Sequence, residues 1–321
     1  MDQREYGDHA ALQDAAWRRR VRDSARADVK AMMRRARRRR LERWLVVAAA
    51  LVAAVAVVML LVGVGVFDRS PKGDGGGGGG DAEFALPTVD ANRPYAGTPA
   101  AGWADGADGV KAPPAMPVGE FTKDEVAQAT ALVRDVLIAS RLDPAMLADH
   151  NPQRYLSLLA PDSRRQLQPL FGTAQQPQTQ GLVSMIDKGS ALLPVAPKVN
   201  GSMQVSAGGP GQLVVRTNYV FVYAFADDRQ PKHTSAMDIL VVVRADVEYK
   251  LLRGPHWTPG SQGLWYGEVG GYGYSISCDA YKRGFLAPAY KDPVATGGTG
   301  LGPEAYFDLN TAVPNTSGCP A

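Results

Sequence analysis

Cysteine is nearly absent from this chain: Cys278 and Cys319 are the only two in 321 residues. Histidine is almost as scarce, and His9, His150, His233 and His256 lie too far apart for any zinc-binding spacing. Neither a metal site nor a cofactor is therefore expected. No Gly-x-Ser-x-Gly elbow occurs, and no Ser-x-x-Lys pair stands in a convincing context, so no catalytic nucleophile is assigned. Net charge is also missing. The 35 basic and 32 acidic residues leave +3, which excludes a nucleic-acid binder on overall electrostatics.

What charge there is lies unevenly. Residues 1–44 hold 14 Lys and Arg against 7 Asp and Glu, whereas residues 45–321 hold 21 against 25. Such asymmetry points to a membrane or an acidic partner at one end. Between the two parts, Leu45 to Phe67 form 23 residues without a charged or polar side chain. As a helix they span roughly 34 Å, enough for the ~30 Å hydrocarbon core. A cleavable signal peptide has a short basic lead and a shorter apolar run. Here 44 residues precede the run, and no Cys near its end could accept a lipid. The expectation is a retained signal anchor over 45–67.

Arg37, Arg38, Arg39, Arg40 and Arg43, with the interfacial Trp44, crowd the N-terminal side as membrane-surface residues. The positive-inside rule then puts residues 1–44 in the cytoplasm and residues 68–321 outside. Within the cytoplasmic segment a helix is predicted from about Ala10 to Arg43. Trp17, Val21, Ala25, Val29 and Met32 recur at spacings of three and four and share one stripe. Three readings compete. The stripe docks a cytoplasmic protein partner in a groove, the basic helix lies on anionic lipid headgroups, or the charge merely sets topology. A nucleic-acid role does not fit, because no aromatics interleave with the Arg run.

Residues 68–119 read as a Gly/Pro-rich linker, with twelve Gly and seven Pro in 52 residues. That composition is expected to bury too little apolar surface to order itself. The Gly75–Gly80 run is no phosphate loop, since no Lys-Ser/Thr follows it. Order resumes at Phe121. Thr122 and Glu125 make a capping box, Phe121 and Val126 a hydrophobic staple, and a helix runs to about Arg141. Short helices are predicted at 144–149, 152–159 and 162–170. Odd positions of 213–225 and 237–249 are apolar, which predicts long antiparallel strands with one wet face. Weaker strands fit 203–206, 264–269 and 272–278. The fold class is α+β, helices packed on a curved antiparallel sheet over residues 120–290.

Residues 291–321 form an irregular tail. An even pair of cysteines in an oxidising compartment reads as a disulfide, Cys278 to Cys319, pinning that tail; two free thiols are the alternative. Trp257, Trp265, Tyr266, Tyr272 and Tyr274, interleaved with Gly267, Gly270, Gly271 and Gly273, suggest a ligand face for peptide, glycan or an envelope protein. Ordinary core and edge filling is the more usual meaning of such aromatics, and the glycines fit better as bulges that curve the sheet. Asp238, Asp246 and Glu248 alternate along one strand, a spacing able to flank a sugar but more usual on a solvated face.

The order of a basic tail, one span, capped helices from Thr122 and the strand pair 213–225 and 237–249 resembles nuclear-transport-factor-two-like (NTF2-like) domains. It is similar to the periplasmic halves of secretion-system inner-membrane proteins of the VirB8 type. The Ala/Arg/Gly-rich, Lys-poor composition resembles high-GC actinobacterial proteins. There the layout looks like the membrane-attachment component of contractile injection systems. The resemblance implies a binding platform rather than a chemistry. The expected function is a non-enzymatic bitopic adaptor, with homo-oligomers open. An envelope enzyme or a ligand sensor using the aromatic face is the alternative.

Overall fold

The structure, a computed structural model, describes residues 89–227, 235–291, 302–312 and residue 319. The apolar run 45–67, the stripe from Trp17 to Met32 and the Arg cluster to Trp44 lie outside the described residues. Among the described residues no helix is long and apolar enough to cross a membrane.

Most of the helices precede the long strands in this α+β domain. Helix α1, Lys123–Arg141, opens on the expected capping box: the Thr122 amide donates to Glu125 Oε2 at 2.8 Å, and the Glu125 amide donates to Thr122 Oγ1 at 3.4 Å. Phe121 and Val126 are buried together in front of it. Three short helices follow, α2 Pro144–Leu147, α3 Gln153–Ser157 and α4 Pro161–Leu167. Asp143 caps α2 by accepting from the Ala145 amide at 3.0 Å, and Pro144 supplies a first residue that needs no amide partner.

Six strands then form one antiparallel sheet: β1 Ala104–Asp105, β2 Ala191–Leu192, β3 Lys198–Ala207, β4 Gln212–Ala226, β5 Leu240–Leu252 and β6 Gly263–Tyr274. The main order is β1-β3-β4-β5-β6, with β2 pairing the C-terminal end of β4. The odd residues of β4 and β5 face the helices. Val215, Tyr219, Phe221, Tyr223, Phe225, Val241, Val243, Ala245, Val247 and Tyr249 share one core with Val133, Val136 and Leu137 of α1.

Four expectations need correction. Residues 236–239 are not strand but a helical turn, α5 Ala236–Ile239, because Ser235 and Asp238 form a second capping box. The two weak strands at 264–269 and 272–278 are one strand, β6, and Cys278–Lys282 is helix α6.

The third correction concerns the wet face. Even residues Val220, Val222, Ala224, Leu240 and Val242 are buried in a second core, with Tyr95, Ala100 and Phe307 above them. Only the far half of that face, at Asp246, meets water. The fourth follows directly. Residues 89–119 are no free linker where described, since Tyr95, Ala100 and Val110 are buried at 6%, 0% and 1% exposure. The Tyr95 hydroxyl donates to the Ala196 carbonyl at 3.0 Å. Arg134 of α1 donates to the carbonyls of Val110 at 2.8 Å and Ala107 at 3.0 Å. A segment poor in regular structure covers the sheet because a few anchors and borrowed hydrogen bonds suffice.

The tail is held twice. Cys278 and Cys319 form the expected disulfide, with Cα atoms 5.4 Å apart. Arg244, read as a wet-face residue, is instead 4% exposed. Its guanidinium donates to the carbonyls of Asp308 at 2.6 Å and Thr311 at 3.1 Å, to that of Leu309, and to Asn218 Oδ1 at 3.0 Å.

Candidate functional site

Arg141 ends α1 one turn after Leu137, on the apolar stripe of that helix, and so enters the core. It is 2% exposed. Its guanidinium donates to the carbonyls of Val183 at 2.8 Å, Gly181 at 2.5 Å and Gln180 at 3.3 Å, and to Ser184 Oγ at 3.1 Å. These acceptors belong to the loop that runs from the helices to β2. The Tyr223 hydroxyl joins them, 2.9 Å from both the Arg141 carbonyl and Ser184 Oγ.

Among the described residues no carboxylate pairs with this cation. Its ionisable neighbours are the phenols of Tyr223, Tyr249, Tyr155 and Tyr281. Burial lowers the affinity of the guanidinium for its proton, yet arginine stays charged in proteins. Burial also pushes the Tyr223 phenol up to about 12 and drives those of Tyr155 and Tyr249 upward, so all three are neutral hydrogen-bond donors near pH 7. Three donors here lack an acceptor among the described residues: Arg141 Nε, the Tyr155 hydroxyl and the Tyr249 hydroxyl.

A cavity of about 40 Å³ is lined by Arg141 and Arg244 together with Gly271, Tyr272, Gly273, Tyr281 and Gly284. A Cβ at Gly271 would stand 2.8 Å from the Arg244 carbonyl oxygen of the paired strand.

The five aromatic residues of the expected ligand face do not converge. A bulge between Val247 and Tyr249 shifts the register of β6. Tyr266, opposite Tyr249, packs against the helix-side core, while Trp265 beside it pairs with Lys250 on the other face. Tyr272 and Tyr274 lie on the second-core face, where Tyr274 stacks on Tyr306 at 4.3 Å between ring centres. Trp257 sits in the β5–β6 loop and donates from Nε1 to the Pro210 carbonyl at 3.3 Å.

The alternating acids separate as well. Asp238 completes the capping box of α5, and Asp246 is exposed. Glu248 is buried and pairs with Arg216 at 2.8 Å and Lys250 at 3.1 Å. Burial pushes its carboxyl up, but the hydrogen bonds from Lys250 and Arg216 outweigh this and hold it below the usual range. Arg216, Asp246 and Glu248 line an open trough of about 270 Å³ with Glu268, Val269 and Gly270. His150 adopts a positive φ of 56°, its Nε2 2.7 Å from the Ile186 carbonyl, which ties the loop after α2 to that after α4. Among the described residues no His, Cys, Asp or Glu group could hold a metal.

Arg141, Tyr155 and Tyr249 were not among the residues singled out from the sequence. The available signal was a cation at the i+4 position from Leu137 on an apolar stripe. Comparison of the chain with protein-family models, with curated proteins and with solved structures finds no match.

Proposed function

We propose that this chain is a single-pass, non-enzymatic membrane adaptor. Residues 10–43 engage a cytoplasmic protein partner, the run Leu45–Phe67 anchors in the bilayer, and the α+β domain docks in the cell envelope outside. The disulfide between Cys278 and Cys319 is the observation that carries this reading. Disulfides persist in oxidising compartments, and both cysteines lie on the side of the apolar run that the Arg cluster assigns to the outside. The sequence order of one long capped helix, short helices and a strand meander supports the resemblance to NTF2-like and VirB8-type domains. With it comes recruitment of a contractile injection or secretion machine as the class of partner.

An envelope enzyme or sensor built on one aromatic face has less support. Its five residues are divided between a loop and both faces of the sheet, and the Arg141 cavity is too small for a sugar ring.

The test is crosslinking and pulldown from membranes with the full chain, a deletion of residues 1–40, and Trp17→Ala combined with Val21→Asp. Burying Trp17 and Val21 in a groove is worth roughly 1.5–3 kcal/mol for each large apolar side chain. The adaptor reading expects the same partner to be lost from the deletion and from the double substitution, with membrane insertion intact. If both retain every partner, the reading fails. Replacing Arg18, Arg19 and Arg22 by Gln separates lipid adsorption, which would weaken with salt.

A further inference from the structure

We infer that the cavity beside Arg141 is a binding site for one small monovalent anion of halide size. A guanidinium at 2% exposure has left water without a carboxylate to replace it. Buried cations are normally paired, because carbonyl dipoles supply hydrogen bonds but no opposite charge. The loop carbonyls of Gln180, Gly181 and Val183 take up the terminal nitrogens of Arg141. Nε remains without an acceptor among the described residues.

Size chooses among the anions. A cavity of about 40 Å³ admits on the order of one to three particles the size of water, at roughly 10–15 Å³ each. Chloride or bromide fits that space. A sugar phosphate or a peptide carboxylate with its chain does not. Water is the competing occupant: it would satisfy the donors but leave the charge unbalanced, whereas a halide does both.

Gly271, Gly273 and Gly284 line the cavity, and a Cβ at Gly273 would already touch Ile276 at 3.3 Å and Tyr281 at 3.7 Å. Any side chain larger than alanine at 273 would take up part of that space.

The experiment uses the full chain in detergent at fixed ionic strength, with gluconate replaced stepwise by chloride or bromide. Thermal melting is read alongside the ³⁵Cl NMR linewidth. In the wild type, melting should rise with the logarithm of halide concentration above the dissociation constant, by roughly 3–6 °C at tenfold over it. The chloride line should broaden and be narrowed by bromide. Arg141→Met should lose both responses, which separates the site from the effect of each salt on the rest of the chain.

Should Arg141→Met fail to fold, Gly273→Val places a side chain among the residues that line the cavity and leaves Arg141 in place. The apparent halide affinity of that variant should fall about tenfold or more. Equal melting in chloride and gluconate, with no line broadening in the wild type, would mean that the cavity holds water only, and the inference would be wrong. A halide response that survives unchanged in Arg141→Met would overturn it equally.

Discussion

Reducing the disulfide between Cys278 and Cys319 should lower the stability of the α+β domain without changing its folded structure. The bridge closes a loop across a sequence separation of 41 residues. Released loops of about that length regain chain entropy in the unfolded state worth about 4 kcal/mol at 25 °C. For a domain of roughly 150–250 residues each kcal/mol moves the melting temperature by about 2–4 °C, so full reduction should lower it by about 8–16 °C. The folded tail need not leave the sheet on reduction. Arg244 still holds the carbonyls of Asp308, Leu309 and Thr311, and Phe307 stays buried against Trp103. The assay is calorimetry of the full chain with and without reductant, with alkylation verifying two free thiols. Near-ultraviolet circular dichroism at 25 °C should be unchanged between the two. An unchanged melt in fully reduced protein would refute the reasoning, and so would loss of the folded-state spectrum.

Two further outcomes follow from the outer sheet face. Arg244→Gln removes a buried cation from three backbone carbonyls and Asn218, and should destabilise by about 2–4 kcal/mol, with faster amide exchange at residues 308–311. Its effect should be larger in reduced protein, where no covalent link limits the loss of the tail, and equal effects in both states would contradict that coupling. Glu248→Gln should cost about 1 kcal/mol at pH 7, because Arg216 and Lys250 favour the ionised carboxylate. The carboxyl is lowered in the folded state, so its contribution is complete above the ordinary carboxylate range and is lost as pH falls through the folded value. Wild type and variant should therefore converge in acid, and a constant gap in urea titrations across pH would contradict the assignment.

Much of the helix-side core was legible in residue order. Thr122 and Glu125 marked the start of α1, and the odd positions from Val215 to Phe225 named the face that meets it. Average composition misled at residues 89–119. Glycine and proline make up ten of these 31 residues, while Tyr95, Ala100 and Val110 decide the packing one residue at a time. The alternation in 237–249 concealed a second signal, Ser235 three residues before Asp238, and local capping won over period two at that end. Val220, Val222 and Ala224 already broke the wet-face pattern and called for a cover that only tertiary contacts supply. The bulge in β6 opposite Glu248 falls at Gly267 and Glu268, where glycine was the available signal, and it decides which way Trp265, Tyr266, Tyr272 and Tyr274 point.

The central claim, that the folded domain lies outside the membrane and residues 1–44 inside, is tested most directly by protease accessibility. Intact spheroplasts and inside-out vesicles would be digested and probed with antibodies to residues 1–44 and to the domain from residue 89. In spheroplasts the account predicts cleavage between anchor and domain, release of a domain still carrying its Cys278–Cys319 bridge, and a protected N-terminal segment. Inside-out vesicles should give the reverse. A domain protected in spheroplasts, or recovered from cells with both thiols free, would contradict it.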